Sequence, residues 1–200
     1  MDVAEFFLEQ HARSHAAALT GATEPLLEDQ LLAGLTDADL RARPRPGLNS
    51  IAWLLWHLAR SEDVAVNVLV AEQPQVLEEE GWLGRLGLSQ RAMGTGMSDR
   101  EVEEVSARLD LTTLRAYRLA VGARTREVVL ALPAKAWDRP VNASLLLHVQ
   151  AFSDQTEGER RVQSCWQGRT TRFVLASSVT THSYLHFGEA GCLKALLAGG

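Results

Sequence analysis

Apolar residues along this chain recur at helical spacing, and no strand-like alternation persists, so the pattern predicts an all-α protein. From about Val3 to Leu19, Phe6, Phe7, Ala16 and Leu19 fall among polar residues, as on an amphipathic helix. Pro25 opens a further helical stretch through Leu26, Leu27, Leu31 and Leu32, or lies in the first turn of a continuation. Thr36-Asp37-Ala38-Asp39 reads as an N-cap with acidic first-turn residues, and Arg43-Pro44-Arg45-Pro46-Gly47 then breaks the chain. Asn49 or Ser50 caps the next helix, which runs to about Val70. It is apolar nearly all round (Ile51, Ala52, Trp53, Leu54, Leu55, Trp56, Leu58), which predicts a central, buried position.

The pattern fails from Ala71 to Gly96, where Pro74 and repeated glycines predict a long connection of the kind that covers sites. Ser98 and Glu101 form a capping box for a polar helix to about Leu109. Asp110 or Thr112 caps another, with Leu114, Tyr117, Val121, Val128 and Leu132 in register until Pro133 stops it. Trp137-Asp138-Arg139-Pro140 is a second loop. Ser144 to Trp166 reads as a helix with a polar middle (Asp154 to Arg161), Gly168 breaks it, and a last helix spans about Thr171 to Leu197.

Bulk properties narrow the function classes. A chain of 200 residues is expected to be a single domain over 1–200, with 46% hydrophobic and 22% charged residues arguing against disorder. A formal net charge of −5 gives no reason to expect nucleic acid or anionic membrane as partner. Cys165 and Cys192 are too few for a disulfide framework and fit a reducing cytosol. No uncharged apolar run reaches the ~20 residues of a membrane span, and the acidic start Met1-Asp2-Val3-Ala4-Glu5 lacks a signal-peptide pattern. A cytoplasmic protein is expected.

Candidate chemistry gathers near the end, in Thr181-His182-Ser183-Tyr184-Leu185-His186-Phe187-Gly188-Glu189. Two histidines four apart on a helix point the same way and can grip one divalent ion, but the pair alone is incomplete. His57, in the apolar wall Asn49–Asp63, is the candidate third ligand. Three imidazoles leave coordination open, as at catalytic sites, and suit Zn²⁺, Ni²⁺ or Fe²⁺. The plain alternative is three unrelated core histidines. His11 and His15 are also four apart, but the polar neighbours Gln10, Arg13 and Ser14 predict a solvated face. There is no phosphate-binding glycine loop and no Gly-x-Ser-x-Gly elbow, and no glutamate directly follows His182 as in metalloproteases. Glu189, one turn beyond His186, is a candidate to orient an imidazole or act as a base, against the ordinary reading of a solvated helix charge.

These residues resemble the DinB/YfiT-like superfamily of metal-binding four-helix bundles, which includes the N-terminal domains of mycothiol-dependent maleylpyruvate isomerases. The segment Asn49–Asp63 is similar to the family's capped second helix, with a histidine followed by an acidic pair. His182–Glu189 is similar to its final His-x-x-x-His-x-Gly-Gln/Glu motif, and the Arg43–Gly47 lead-in is family-like too. The resemblance implies a metal triad of His57, His182 and His186 in an antiparallel four-helix bundle with extra short helices, often a homodimer. It implies one divalent metal per chain and a thiol S-transferase, with a bacillithiol- or mycothiol-type thiol and an electrophile as substrates. Metal-assisted hydrolysis, with Glu189 or Glu62 as base, and a non-catalytic stress-associated binding protein are the alternatives.

Overall fold

The computed structural model describes residues 2–79, 81–149 and 157–199, and in them the apolar segments become a helical bundle. Helix α1 (Val3–Arg13) is capped by Asp2, with Glu5 closing a capping box, and buries Phe7 and His11 one turn apart. Two short helices follow, α2 (Leu27–Leu32) and α3 (Asp37–Arg41), the latter capped by Thr36 as its sequence predicts. Helix α4 (Ile51–Asp63) starts at Ser50, whose Oγ accepts the Trp53 N–H at 3.0 Å. Every residue of α4 is buried, the apolar wall from Ile51 to Leu58 by packing, and Arg60, Glu62 and Asp63 with buried polar partners.

The rod does not stop at Asp63 but continues as a π-helical segment over Val64–Val70, so the expected helix to Val70 is present with a widened final part. Beyond it come a four-residue helix α5 (Trp82–Arg85), the polar α6 (Asp99–Arg108) and the long α7 (Leu111–Ala131), capped by Asp110. Helix α8 (Glu157–Trp166) precedes a last rod made of α9 (Thr171–Leu175), a π-helical stretch (Ala176–Thr181) and α10 (His182–Ala198). In the bundle α4 packs on α7 and α10, while α1 closes the ring against α7 and the π-helical stretch before α10. Among the described residues there is no strand, only an isolated bridge between Pro140 and Thr170.

The connection 71–96 is packed down rather than loose. Asp63 accepts the backbone N–H groups of Val76 and Leu77 at 2.8 and 3.0 Å, and Arg60 donates to Gln75 and to the Arg91 carbonyl at 2.7 and 2.9 Å. Gly94, at φ +97°, brings the loop back against Trp53 and Trp56; a Cβ there would stand 2.7 Å from one ring and 2.8 Å from the other.

Two expectations are corrected. The first helix ends at Arg13, with only a short 3₁₀ turn at Ala17–Leu19, because Ser14 turns inward and donates both its N–H and its hydroxyl to carbonyls of the last turn, the hydroxyl to His11 at 3.0 Å. The segment from Ser144 is not one helix to Trp166: it begins as a 3₁₀ turn (Ala143–His148) capped by Asn142, and α8 starts only at Glu157. Residues 150–156 of that segment, including the start of its expected polar middle at Asp154, lie outside the described residues.

Candidate metal centre

Residues from the two rods meet at one depth. His57 projects from the middle of α4, and His182 and His186 from the first turns of α10, directly after its π-helical stretch. The Nε2 atoms converge, with His57 to His182 at 3.2 Å and His186 to His182 at 3.0 Å. The ring nitrogens of the three residues all fall within 4.8 Å of one another, close enough to share an ion. Both flanking segments carry π-helical turns, a feature found often at functional sites because the added residue rotates the following face.

The far sides of the rings are held. His57 Nδ1 meets the Met93 carbonyl at 2.5 Å, and His186 Nδ1 meets Glu189 Oε2 at 2.8 Å. Neither oxygen carries a proton to give, so both histidines hold theirs on Nδ1, which leaves bare Nε2 lone pairs facing His182. His182 Nε2 has at most one proton for its two neighbours. Its Nδ1 makes no well-formed hydrogen bond; the Ser178 backbone one turn back is near enough to raise its pKa without bonding it squarely. With the His182 proton on Nδ1, three inward lone pairs are mutually repulsive without a cation and suit one well. This donor set fits a divalent ion, with carbonyl and carboxylate orienting two of the ligands as at other imidazole metal sites.

The electrostatics keep His57 and His182 neutral. Burial, opposed by the Met93 bond and aided by the nearby His186, lowers the His57 pKa to about 4. Burial and then the other two imidazoles lower His182 to about 3. Neutral imidazole is the ligating form.

Glu189 is half-buried and bonded, not a solvated helix charge. Its Oε1 accepts from Asn49 Nδ2 at 2.9 Å, and the bond to His186 followed by that to Asn49 holds its carboxyl below the ordinary range. Asn49 was one of two candidate caps; with Ser50 capping α4, its amide is free for this task. Glu62, the other candidate base, lies with His11 and His15 and not with the triad. Its carboxylate meets His11 Nε2 at 2.8 Å and His15 Nε2 at 3.1 Å, and accepts from Thr125 at 2.7 Å.

The expected solvated face at His11 and His15 is therefore wrong, since both are 0% exposed. Local polarity misled because their partner lies about fifty residues away in sequence, beyond the reach of any helical pattern.

A cavity of about 410 Å³ opens beside His57 and His182. Met93 and Thr95 of the 71–96 connection form one wall, so the long connection does cover the site. Helix α8 supplies Cys165 and Trp166, and the Trp166 indole donates to Ser178 at 2.7 Å. The hydroxyls of Ser61, Ser177 and Ser178 and the Arg169 guanidinium, stacked 4.6 Å from the Phe173 ring centre, add polar groups. Sequence patterning gave no signal for Met93, which acts through its backbone, or for Arg169.

Comparison with known proteins agrees with the helical-bundle fold. The family description of the DinB superfamily matches residues 28–190. A crystal structure titled as the conserved protein of a locus from Enterococcus faecalis superposes with a TM-score of 0.71 at 20% identity, covering 100% of this chain and 99% of that one, which shows a shared fold. No curated protein matches the sequence. No helix among the described residues is long and apolar enough to cross a membrane. With residues 28–190 matched and a helical bundle around the paired motifs, the chain belongs to the DinB superfamily.

Proposed function

We propose that this chain binds one divalent metal ion at His57, His182 and His186 and is a metal-dependent thiol S-transferase. The observation that carries the reading is the convergence of three Nε2 atoms beside a cavity, with oxygen acceptors behind two of the rings. An ion there, Zn²⁺ or Ni²⁺ before Fe²⁺, would supply Lewis acidity on its open side and lower the pKa of a thiol. The protein's own residues do the rest. Trp166 and Phe173 give an apolar wall for an electrophile, and Arg169 offers charge to an anionic group on a bacillithiol- or mycothiol-type thiol. In the transfer, sulfur forms the new S–C bond, the thiol proton passes to solvent, and the leaving group departs with the bonding pair.

Hydrolysis has less support, because both candidate bases are engaged: Glu189 by Asn49 and His186, Glu62 by His11, His15 and Thr125. The transferase reading carries with it a homodimer, favoured by the exposed Tyr184, Leu185 and Leu196 on α10, and a cytoplasmic setting where such thiols are abundant. The test is thiol consumption with a panel of electrophiles by the metal-loaded protein and by His57→Ala. Turnover that disappears in the variant is expected. Metal binding without turnover for any thiol would replace this reading with that of a non-catalytic metal-binding protein.

A further inference from the structure

The second histidine pair has its own carboxylate. His11 on α1, His15 just beyond it and Glu62 on α4 are all fully or almost fully buried, at 0%, 0% and 1% exposure. Their donor atoms lie within 4.8 Å of one another, and both imidazoles present Nε2 to a different oxygen of the same carboxylate. Among the described residues the other buried carboxylates are matched by arginines: Asp63 by Arg60, and Glu28 by Arg118. Among the described residues Glu62 is bonded by two imidazoles and the Thr125 hydroxyl, with no guanidinium or ammonium.

A buried carboxylate without a fixed cation is costly. The backbone makes room for the His15 ring at Gly122 of α7, where a Cβ would stand 3.0 Å from its Cε1. Two imidazoles and one carboxylate are a recognised donor set for first-row divalent ions.

We propose that His11, His15 and Glu62 form a second divalent-metal site, separate from the triad. Glu62 is five residues after His57, which turns it about 140° round the helix axis and carries it about 7.5 Å along, so the two sites do not share a dinuclear centre. None of the three residues lines the triad's cavity, which makes the second ion structural. It ties the end of α1 to α4, and Thr125 fixes the carboxylate from α7. His11 and His15 precede the span matched by the family, so this site is argued from the chain's own N-terminal residues.

The test is a zinc count on untagged protein, refolded from denaturant with excess Zn²⁺ and dialysed, in a His182→Asn/His186→Asn background that lacks the triad. About one zinc per chain should remain and should vanish when His11→Gln and His15→Gln are added. Glutamine keeps an N–H for Glu62, so a purely hydrogen-bonded cluster would tolerate both changes with fold and metal content unaltered. A folded background variant without zinc, or a count unmoved by the glutamines, overturns the proposal. If the variants do not fold, anomalous diffraction from zinc-soaked native crystals decides: a peak between His15 and Glu62 supports the site, and its absence there removes it. The outcome is independent of whether the triad binds metal or catalyses transfer.

Discussion

Asn49 and Glu189 stand 140 residues apart in the chain and share a 2.9 Å hydrogen bond. Through the other oxygen of that carboxylate the start of α4 is linked to His186, so the two sequence motifs are parts of one orienting chain, Asn49–Glu189–His186. Glu189→Gln should weaken metal binding about 10–100-fold, the usual effect of removing a carboxylate behind a ligating imidazole. Asn49→Ala should have a smaller effect of the same sign. Competition against a chromophoric chelator measures both, and unchanged affinity in Glu189→Gln would show that His186 needs no orienting partner.

Gly94 holds the covering loop against the tryptophans behind His57. Gly94→Ala is disfavoured twice, by its φ of +97° and by the clash with Trp53 and Trp56. A loss of roughly 1–3 kcal/mol in denaturant unfolding is expected. Because Met93 is adjacent, metal affinity should fall as well.

Asp63 is the anchor of that loop and the partner of Arg60, with Tyr117 donating to it at 2.5 Å. Asp63→Ala leaves the Arg60 guanidinium buried without its carboxylate and should cost about 3–5 kcal/mol. Tyr117→Phe removes the hydrogen bond to Asp63 and the one accepted from Arg60, and should cost at least about 1.5–3 kcal/mol. Urea unfolding of metal-free protein distinguishes the two.

How far the sequence reveals this arrangement depends on the range of each interaction. The span of α4 and its extension to Val70 follow from two apolar stretches, Ile51–Leu58 and Val64–Val70, with a serine ahead of the first, all local features. The pair His182 and His186 is legible from spacing alone, whereas His57 stands out only through resemblance to a family, since one histidine on an apolar helix is ordinary. The His11–Glu62 and Asn49–Glu189 bonds are not legible, because tertiary packing alone brings those residues together. The 3₁₀ turn at Ala143–His148 escaped for a different reason: Leu145, Leu146 and Leu147 suit a helix, but Asn142 captures the Ser144 N–H in a turn.

Acid should destabilise the metal-free protein in a defined window. His15 and His57 have folded pKa values near 4, below the ordinary 6.5 they regain on unfolding. The unfolded chain therefore binds more protons as pH falls below about 6.5, and stability declines until the folded histidines protonate near pH 4. Each group contributes up to about 1.4 kcal/mol per pH unit across that window. Thermal unfolding of chelator-treated protein between those limits checks the slope, and His57→Gln should flatten it.

The central claim is that His57, His182 and His186 hold a metal ion, and the most direct measurement is elemental analysis of untagged protein beside a His57→Ala/His182→Ala variant. The account predicts that the variant, folded by circular dichroism, contains one equivalent of divalent metal per chain less than the native protein. Equal metal content in the two, or a native protein that takes up none after reconstitution, would contradict it.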